Sequence, residues 1–140
     1  MGSSGVSVSA LTLGTMTFGA ESPAEESLAM LDTYVEAGGN VIDTADVYAD
    51  GVSEEIVGEW LRSRPQEITR EMVLATKGRF PTSALGGSLR ASRRHLRRAL
   101  TESLRRLRSI TSTSTSCTPG IPSPRSRRPW TSWTGRSVTA

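Results

Sequence analysis

Asp43, Tyr48 and Lys77 are the residues whose types and spacing could support chemistry. Asp43 lies within IDTADVY, Tyr48 follows five residues later, and Lys77 ends the apolar run MVLAT. A cation close to a phenol stabilises phenolate, and a carboxylate can hold that cation in place. A phenol so placed can pass a proton at neutral pH. Lys77 is also the single lysine beside sixteen arginines, and a compact amine on a flexible stem does what a guanidinium cannot. Spacing alone leaves a plainer alternative open, in which Asp43 caps a turn, Tyr48 covers a loop and Lys77 is solvated.

The elements that must position these side chains alternate between strand and helix. Through residue 108, short apolar runs separate stretches of helical period, the pattern of βαβ units and a parallel sheet. The spacing predicts strands at Ala10–Thr15, Asn40–Ala45 and Met72–Thr76. A first helix begins near Ser22 and Pro23, a capping residue followed by a proline at the first helical position, and stops at Gly38 and Gly39. It places Ala24, Leu28, Leu31 and Val35 on one face. In a second helix Ser53 is the cap, Glu54 and Glu55 suit the positive end, Ile56, Val57, Trp60 and Leu61 form the buried stripe, and Pro65 closes it. A third helix from about Ser88 sets Leu96, Leu100, Leu104 and Leu107 along one side and arginines along the other. The three candidate residues fall where strands two and three end, the edge of a parallel sheet or barrel at which sites are built.

Composition bounds the possibilities. A chain of 140 residues with 36% hydrophobic and 22% charged residues is one modest domain or part of a larger one. It has no apolar run long enough to span a membrane. The opening MGSSGVSVSALTLG lacks the basic start and apolar core of a signal peptide, so a cytoplasmic location is expected. Cys117 stands alone, which excludes an internal disulfide framework, and one cysteine with one histidine gives no expectation of a metal site. Residues 1–108 carry all 14 acids and 13 of the 17 bases, a balance of −1. The positive excess therefore lies in residues 109–140, in Arg125, Arg127, Arg128 and Arg136.

From Gly2 to Arg108 the sequence resembles the opening of bacterial aldo-keto reductases. The segments are LTLGTMTFG, EAGGNVIDTADVYADGVSEEIVGEWL, MVLATKGRF and SLRASRRHLRRALTESLRRL, and the long block around DTADVY is the most specific. The resemblance implies a (β/α)8 TIM barrel that uses NADPH to reduce a small-molecule aldehyde or ketone. Tyr48 would be the general acid on the carbonyl oxygen, Lys77 would assist it, and Asp43 would pair with Lys77. Gly14, Thr15 and Met16 match positions that approach the cofactor. The family also has a histidine at the end of strand four. The single histidine here, His95, lies on the third helix, where a surface position is expected.

Residues 109–140 break the pattern. They hold fifteen serines and threonines and four prolines, with neither helical nor strand period, and are expected to form an irregular or disordered tail. The family resemblance predicts a fourth strand close to D-Y-I-D-L-Y-Q-L-H after RRL, where this chain reads RSITSTSTSCTPGIP. If each codon is begun one nucleotide earlier from the Ser109–Ile110 junction, suitable third bases permit that whole string, histidine included. The same offset permits L-A-P-I-E-E-T-L-D-V-L-D-G over Ser123 to Gly135, an amphipathic helix starting with proline and acids. Trp130 and Trp133 are the strictest positions, because tryptophan has a single codon and each is followed by threonine, which forces aspartate in the shifted frame.

The expected architecture is thus an α/β chain, an incomplete barrel of about three βα units over residues 1–108, followed by an out-of-frame tail over 109–140 and without carbonyl-reducing activity of its own. Two rival classes remain. One is a basic-helix nucleic-acid binder built on Arg90, Arg93, Arg94, Arg97, Arg98, Arg105, Arg106 and Arg108, although that helix lacks stacking aromatics and a solvated face explains the arginines as well. The other is a non-catalytic interaction fragment that pairs with another copy or chain. The expectation adopted is of no nucleic acid and no membrane partner.

Overall fold

The structure, a computed structural model, describes residues 5–78, 80, 92–108 and 113–116. Its elements run β1 (Leu13–Gly14), α1 (Ala24–Glu36), β2 (Val41–Asp43), a 3-10 turn (Tyr48–Gly51), α2 (Val52–Ser63), α3 (Gln66–Thr69), β3 (Val73–Lys77), α4 (Arg93–Leu107) and β4 (Thr113–Ser116). The strands form one sheet in the order β1-β2-β3-β4. Every pairing is parallel, with Leu13 opposite Ile42, Ile42 opposite Leu74, and Leu74 opposite Thr113. Among the described residues no helix is long and apolar enough to cross a membrane.

Period-two alternation sorts the sheet into two faces. Ile42, Leu74 and Thr76 are buried, while Val41, Asp43, Val73, Ala75 and Lys77 on the opposite face are half-buried. Ile42 and Leu74 pack with Leu31 of α1, Ile56, Val57 and Trp60 of α2, and Leu107 of α4 in one cluster that also takes in Phe18 and Met72. An ionic latch joins α1 to the end of α2: Asp32 accepts from Trp60 Nε1 and Arg64 Nε, each at 2.7 Å. The Arg64 guanidinium, helped by Trp60 and opposed by partial burial, holds the Asp32 carboxyl below its ordinary value.

The ladders are shorter than the apolar runs. Only Leu13 and Gly14 of the first run pair as a strand; upstream, Ser9 N donates to the Asn40 side chain at 2.8 Å instead of to backbone. Pro23 stands at the boundary of α1 rather than inside it, Ser22 makes no cap, and Ala24 is exposed. Gly38, at φ 84°, closes α1 as expected, its N–H donating to Val35 O. α2 begins one residue before the expected cap, with Gly51 at φ 99° as the boundary residue, a left-handed conformation that glycine adopts without strain. Ser53 is therefore inside the helix, and its hydroxyl donates to Thr15 O at 2.8 Å.

The largest departure is the face of α4. Ser92 caps it, accepting from His95 N at 3.2 Å, and the expected start at Ser88 lies outside the described residues. The buried positions are His95, Ala99, Ser103 and Leu107, while Leu96, Leu100 and Leu104 are half-buried. Hydrophobic period marks the leucines, but the closest approach of two backbones selects small side chains. A Cβ on Gly58 of α2 would lie 2.1 Å from Arg106 O and 3.0 Å from the Leu107 backbone. His95, expected at the surface, is consequently only 8% exposed.

Of residues 109–140, expected to be irregular or disordered, the structure describes 113–116, and these form a strand. Thr113–Ser116 continue the sheet as β4 against β3, because β3 offers an edge to pair with and threonine, being β-branched, suits a pleat.

Gly58→Ala is expected to cost about 1–3 kcal/mol, since backbone atoms of α4 stand where the methyl must go. Urea denaturation of both proteins measures it, and unchanged stability would show that α2 and α4 are not this close.

Candidate active site

Asp43 is in register with Ala75, and Lys77, two residues further along the same face of β3, reaches back across the pair. Lys77 Nζ donates to both Asp43 carboxylate oxygens, each at 2.7 Å. Backbone bonds secure the strand ends that carry them: Thr44 N to Ala75 O at 2.8 Å and Asp46 N to Lys77 O at 3.0 Å. Tyr48 opens the 3-10 turn that follows β2, and the Lys77 ammonium lies over its ring, 5.1 Å from the centroid, within reach of a cation–π attraction. Ala49 and Asp50, at φ 47° and 54°, then take left-handed conformations. Such conformations strain residues with a side chain and persist only where the surroundings impose them, so the chain reversal after Tyr48 is held by its context.

The residues singled out at the end of β1 divide. Gly14 and Met16 are exposed, Met16 at 65%, and a Cβ on Gly14 would meet nothing within 4 Å. Thr15 is fully buried, its hydroxyl 2.8 Å from Ser53 Oγ, which also lies 3.2 Å from Thr44 Oγ1. This hydroxyl cluster ties β1, β2 and α2 together, and Thr15 presents nothing to solvent.

Sequence reasoning missed two acids beside the site. Glu54, read only as an acid that suits the positive helix end, is fully buried: it accepts from Thr76 Oγ1 at 2.6 Å and pairs with Arg106 Nε at 2.8 Å. Its spacing from Val57 and Leu61 put it on the buried side of the helix and was the available signal. Asp46 is 1% exposed, and neither of its carboxylate oxygens has a hydrogen-bond partner among the described residues. Burial first, then the negative charge of Glu54, pushes its carboxyl up to about 6, with Arg106 opposing. His95 Nε2 is likewise buried without a partner among the described residues.

The model of the aldo/keto reductase family matches residues 10–111. The chain belongs to that family. It is 48% identical over 82 residues to norsolorinic acid reductase of Aspergillus flavus, covering 54% of this chain and 21% of that protein. It is 42% identical over 81 residues to aryl-alcohol dehydrogenase [NADP(+)] of Phanerodontia chrysosporium, covering 52% and 20%. Among solved structures, an aldo-keto reductase from Bacillus halodurans in its holo form superposes with a TM-score of 0.67 at 30% identity, over 79% of this chain and 36% of that one. This aldo/keto reductase chain thus spans about a fifth of the length of those two curated relatives, and its sheet is a partial TIM barrel.

Asp46 gives the site a pH signature. Its ordinary value is 3.8, so between 3.8 and about 6 the folded chain keeps a proton that the unfolded chain has lost, and stability falls as pH rises through that window. Asp46→Asn is expected to stabilise the protein above about pH 6 and to change little near pH 4. Denaturant midpoints at both ends of that range test this; an equal change at the two pH values refutes it.

Proposed function

We propose that this chain carries the proton-delivering part of an NADPH-dependent carbonyl reductase site and that, as a 140-residue polypeptide, it does not turn over. The observation that carries the reading is the Lys77 ammonium, fixed by both oxygens of Asp43 and placed over the ring of Tyr48. In the proposed reaction the Tyr48 hydroxyl gives its proton to the carbonyl oxygen of an aldehyde or ketone. The positive charge of Lys77 favours the phenolate left behind. Asp43 keeps that amine from swinging into solvent, so the geometry is set before substrate arrives. NADPH, when bound, supplies the hydride. Gly14 and Met16 fit its approach, being exposed beside β1 with open space where a glycine side chain would stand. A relative whose name carries NADP(+) supports the choice of cofactor.

Inactivity follows from what stands in place of the fourth barrel unit. The family's strand-four histidine has no counterpart at the site, since His95 belongs to the buried face of α4. We attribute residues 109–140 to a reading-frame slip near codon 109. Such a slip changes residue types but keeps their number, which fits a β4 that still reaches the edge of β3 although its residues are threonine and serine. The nucleic-acid reading loses support from the fate of its arginines. Arg106 is committed to Glu54, and the groove of about 300 Å³ between α2 and α4 lines Arg62, Arg105 and Arg108 with Glu55 and Glu59, acids that repel phosphate.

Purified protein is expected to consume no NADPH with aromatic or aliphatic aldehydes; robust turnover refutes the inactivity. A gene with the frame restored at codon 109 is expected to yield an active reductase, and Tyr48→Phe in that background to lose about a hundredfold or more in kcat. Full activity of that variant would remove Tyr48 from the reaction.

A further inference from the structure

Asp46 stands within the turn that presents Tyr48. Tyr48 N donates to Ala45 O at 3.2 Å and closes that turn around Asp46, while Asp46 N donates to Lys77 O at 3.0 Å and ties the end of β2 to the end of β3. One residue thus borders both partners of the contact between the Lys77 ammonium and the Tyr48 ring. Its side chain turns into the interior. Asp46 Oδ2 lies 3.6 Å from the point where a Cβ on Gly78 would stand, and Ala99 Cβ of α4 is 2.9 Å from that same point, so a strand end and a helix fence the carboxyl in. It is 1% exposed, and neither oxygen has a hydrogen-bond partner among the described residues.

A carboxyl so placed is tolerated when neutral and penalised when ionised. Glu54 of α2 repels a second negative charge, and Arg106 of α4, which attracts it, is already paired with Glu54. His95 lies one turn before Ala99 on the buried face of α4, and Asp43 and Lys77 neutralise each other. Burial and Glu54 prevail over Arg106 and over the Val47 amide, which lies outside hydrogen-bonding geometry, and the carboxyl is pushed up to about 6. An ionised Asp46 therefore gains by reaching water. α4 does not yield readily, being held to α2 by the Arg106–Glu54 pair and by backbone contact at Gly58. The easier movement is an outward swing of the chain between Ala45 and Tyr48, which breaks the bond from Asp46 N to Lys77 O and carries the Tyr48 ring off the ammonium.

We propose that Asp46 is a positioning residue for the Tyr48–Lys77 contact: its neutral carboxyl keeps the turn of residues 45–48 closed, and its ionisation lets that turn open locally while the sheet stays folded. The proposal concerns the turn and stands whether or not the carbonyl-reductase reading does.

Amide exchange of the purified 140-residue chain, corrected at each pH for the rate of a free amide, measures the opening. With Asp46 at its ordinary 3.8 in the opened turn and at about 6 in the closed one, the opened fraction is expected to grow about fiftyfold from pH 4 to pH 7 and to level off above. That growth is expected at the Asp46 and Tyr48 amides, is expected not to depend on urea below the unfolding transition, and is expected to vanish in Asp46→Asn. Exchange at these amides that ignores pH overturns the proposal. So does a pH-dependent rise that survives in Asp46→Asn, as titration of His95 would give, or an opening that grows with urea as steeply as global unfolding. Should Asp46→Asn fail to fold, carbon NMR of the Asp46 carboxyl in the unaltered protein decides: a midpoint at the pH where exchange levels off supports the proposal, and a separate midpoint refutes it.

Discussion

A carboxylate sealed from water governs how the described elements come together. Glu54 sits on α2, takes a hydrogen bond from Thr76 on β3 and pairs with Arg106 on α4, so one ionised group ties a strand to two helices. A buried charge is tolerable only when paired and hydrogen-bonded. Once α2 lay against the sheet, β3 had to present a hydroxyl and α4 a guanidinium. The packing of α4 answers to the same demand, with small residues letting its backbone come close enough for Arg106 to reach. Thr76 immediately precedes Lys77, so the strand position that anchors Glu54 also fixes the root of the site lysine.

The same charge has a cost next door. Asp46 lies within the field of Glu54, buried and without a hydrogen-bond partner among the described residues, so its carboxyl keeps a proton to higher pH than an exposed one. Asp43, three residues earlier, has the opposite fate: Lys77 occupies both of its oxygens. The difference is one of sheet face and depth. Asp43 stands on the half-open inner face where the lysine can reach it, while Asp46 follows the strand end and turns into the packed interior. Stability is spent where the chain leaves β2, close to the proposed proton donor, as is common where a fold holds reactive groups in place.

Much of this was legible before any coordinates. Apolar runs gave three strands in the right order, glycine marked the end of α1, and the DTADVY block with MVLATK predicted which residues would meet. Resemblance named the family to which the chain belongs. What escaped was whatever depends on contact between distant segments: the burial of Glu54 and His95, the use of Ser53 as a cross-link rather than a cap, and the rotated face of α4. Glu54 and Arg106 are 52 positions apart, and no local period connects them. Thr113–Ser116 lack any strand signature of their own, and their pairing came from the edge that β3 offered.

The sequence by itself determined the alternation of strand and helix and the residue types at the strand ends, because periodicity and side-chain chemistry are local properties of the chain. Tertiary structure alone decided which acid is paired, which is left unsatisfied and which face of each helix is hidden. Those outcomes depend on how closely two backbones can approach and on where water is excluded, quantities that come into being only when the segments meet.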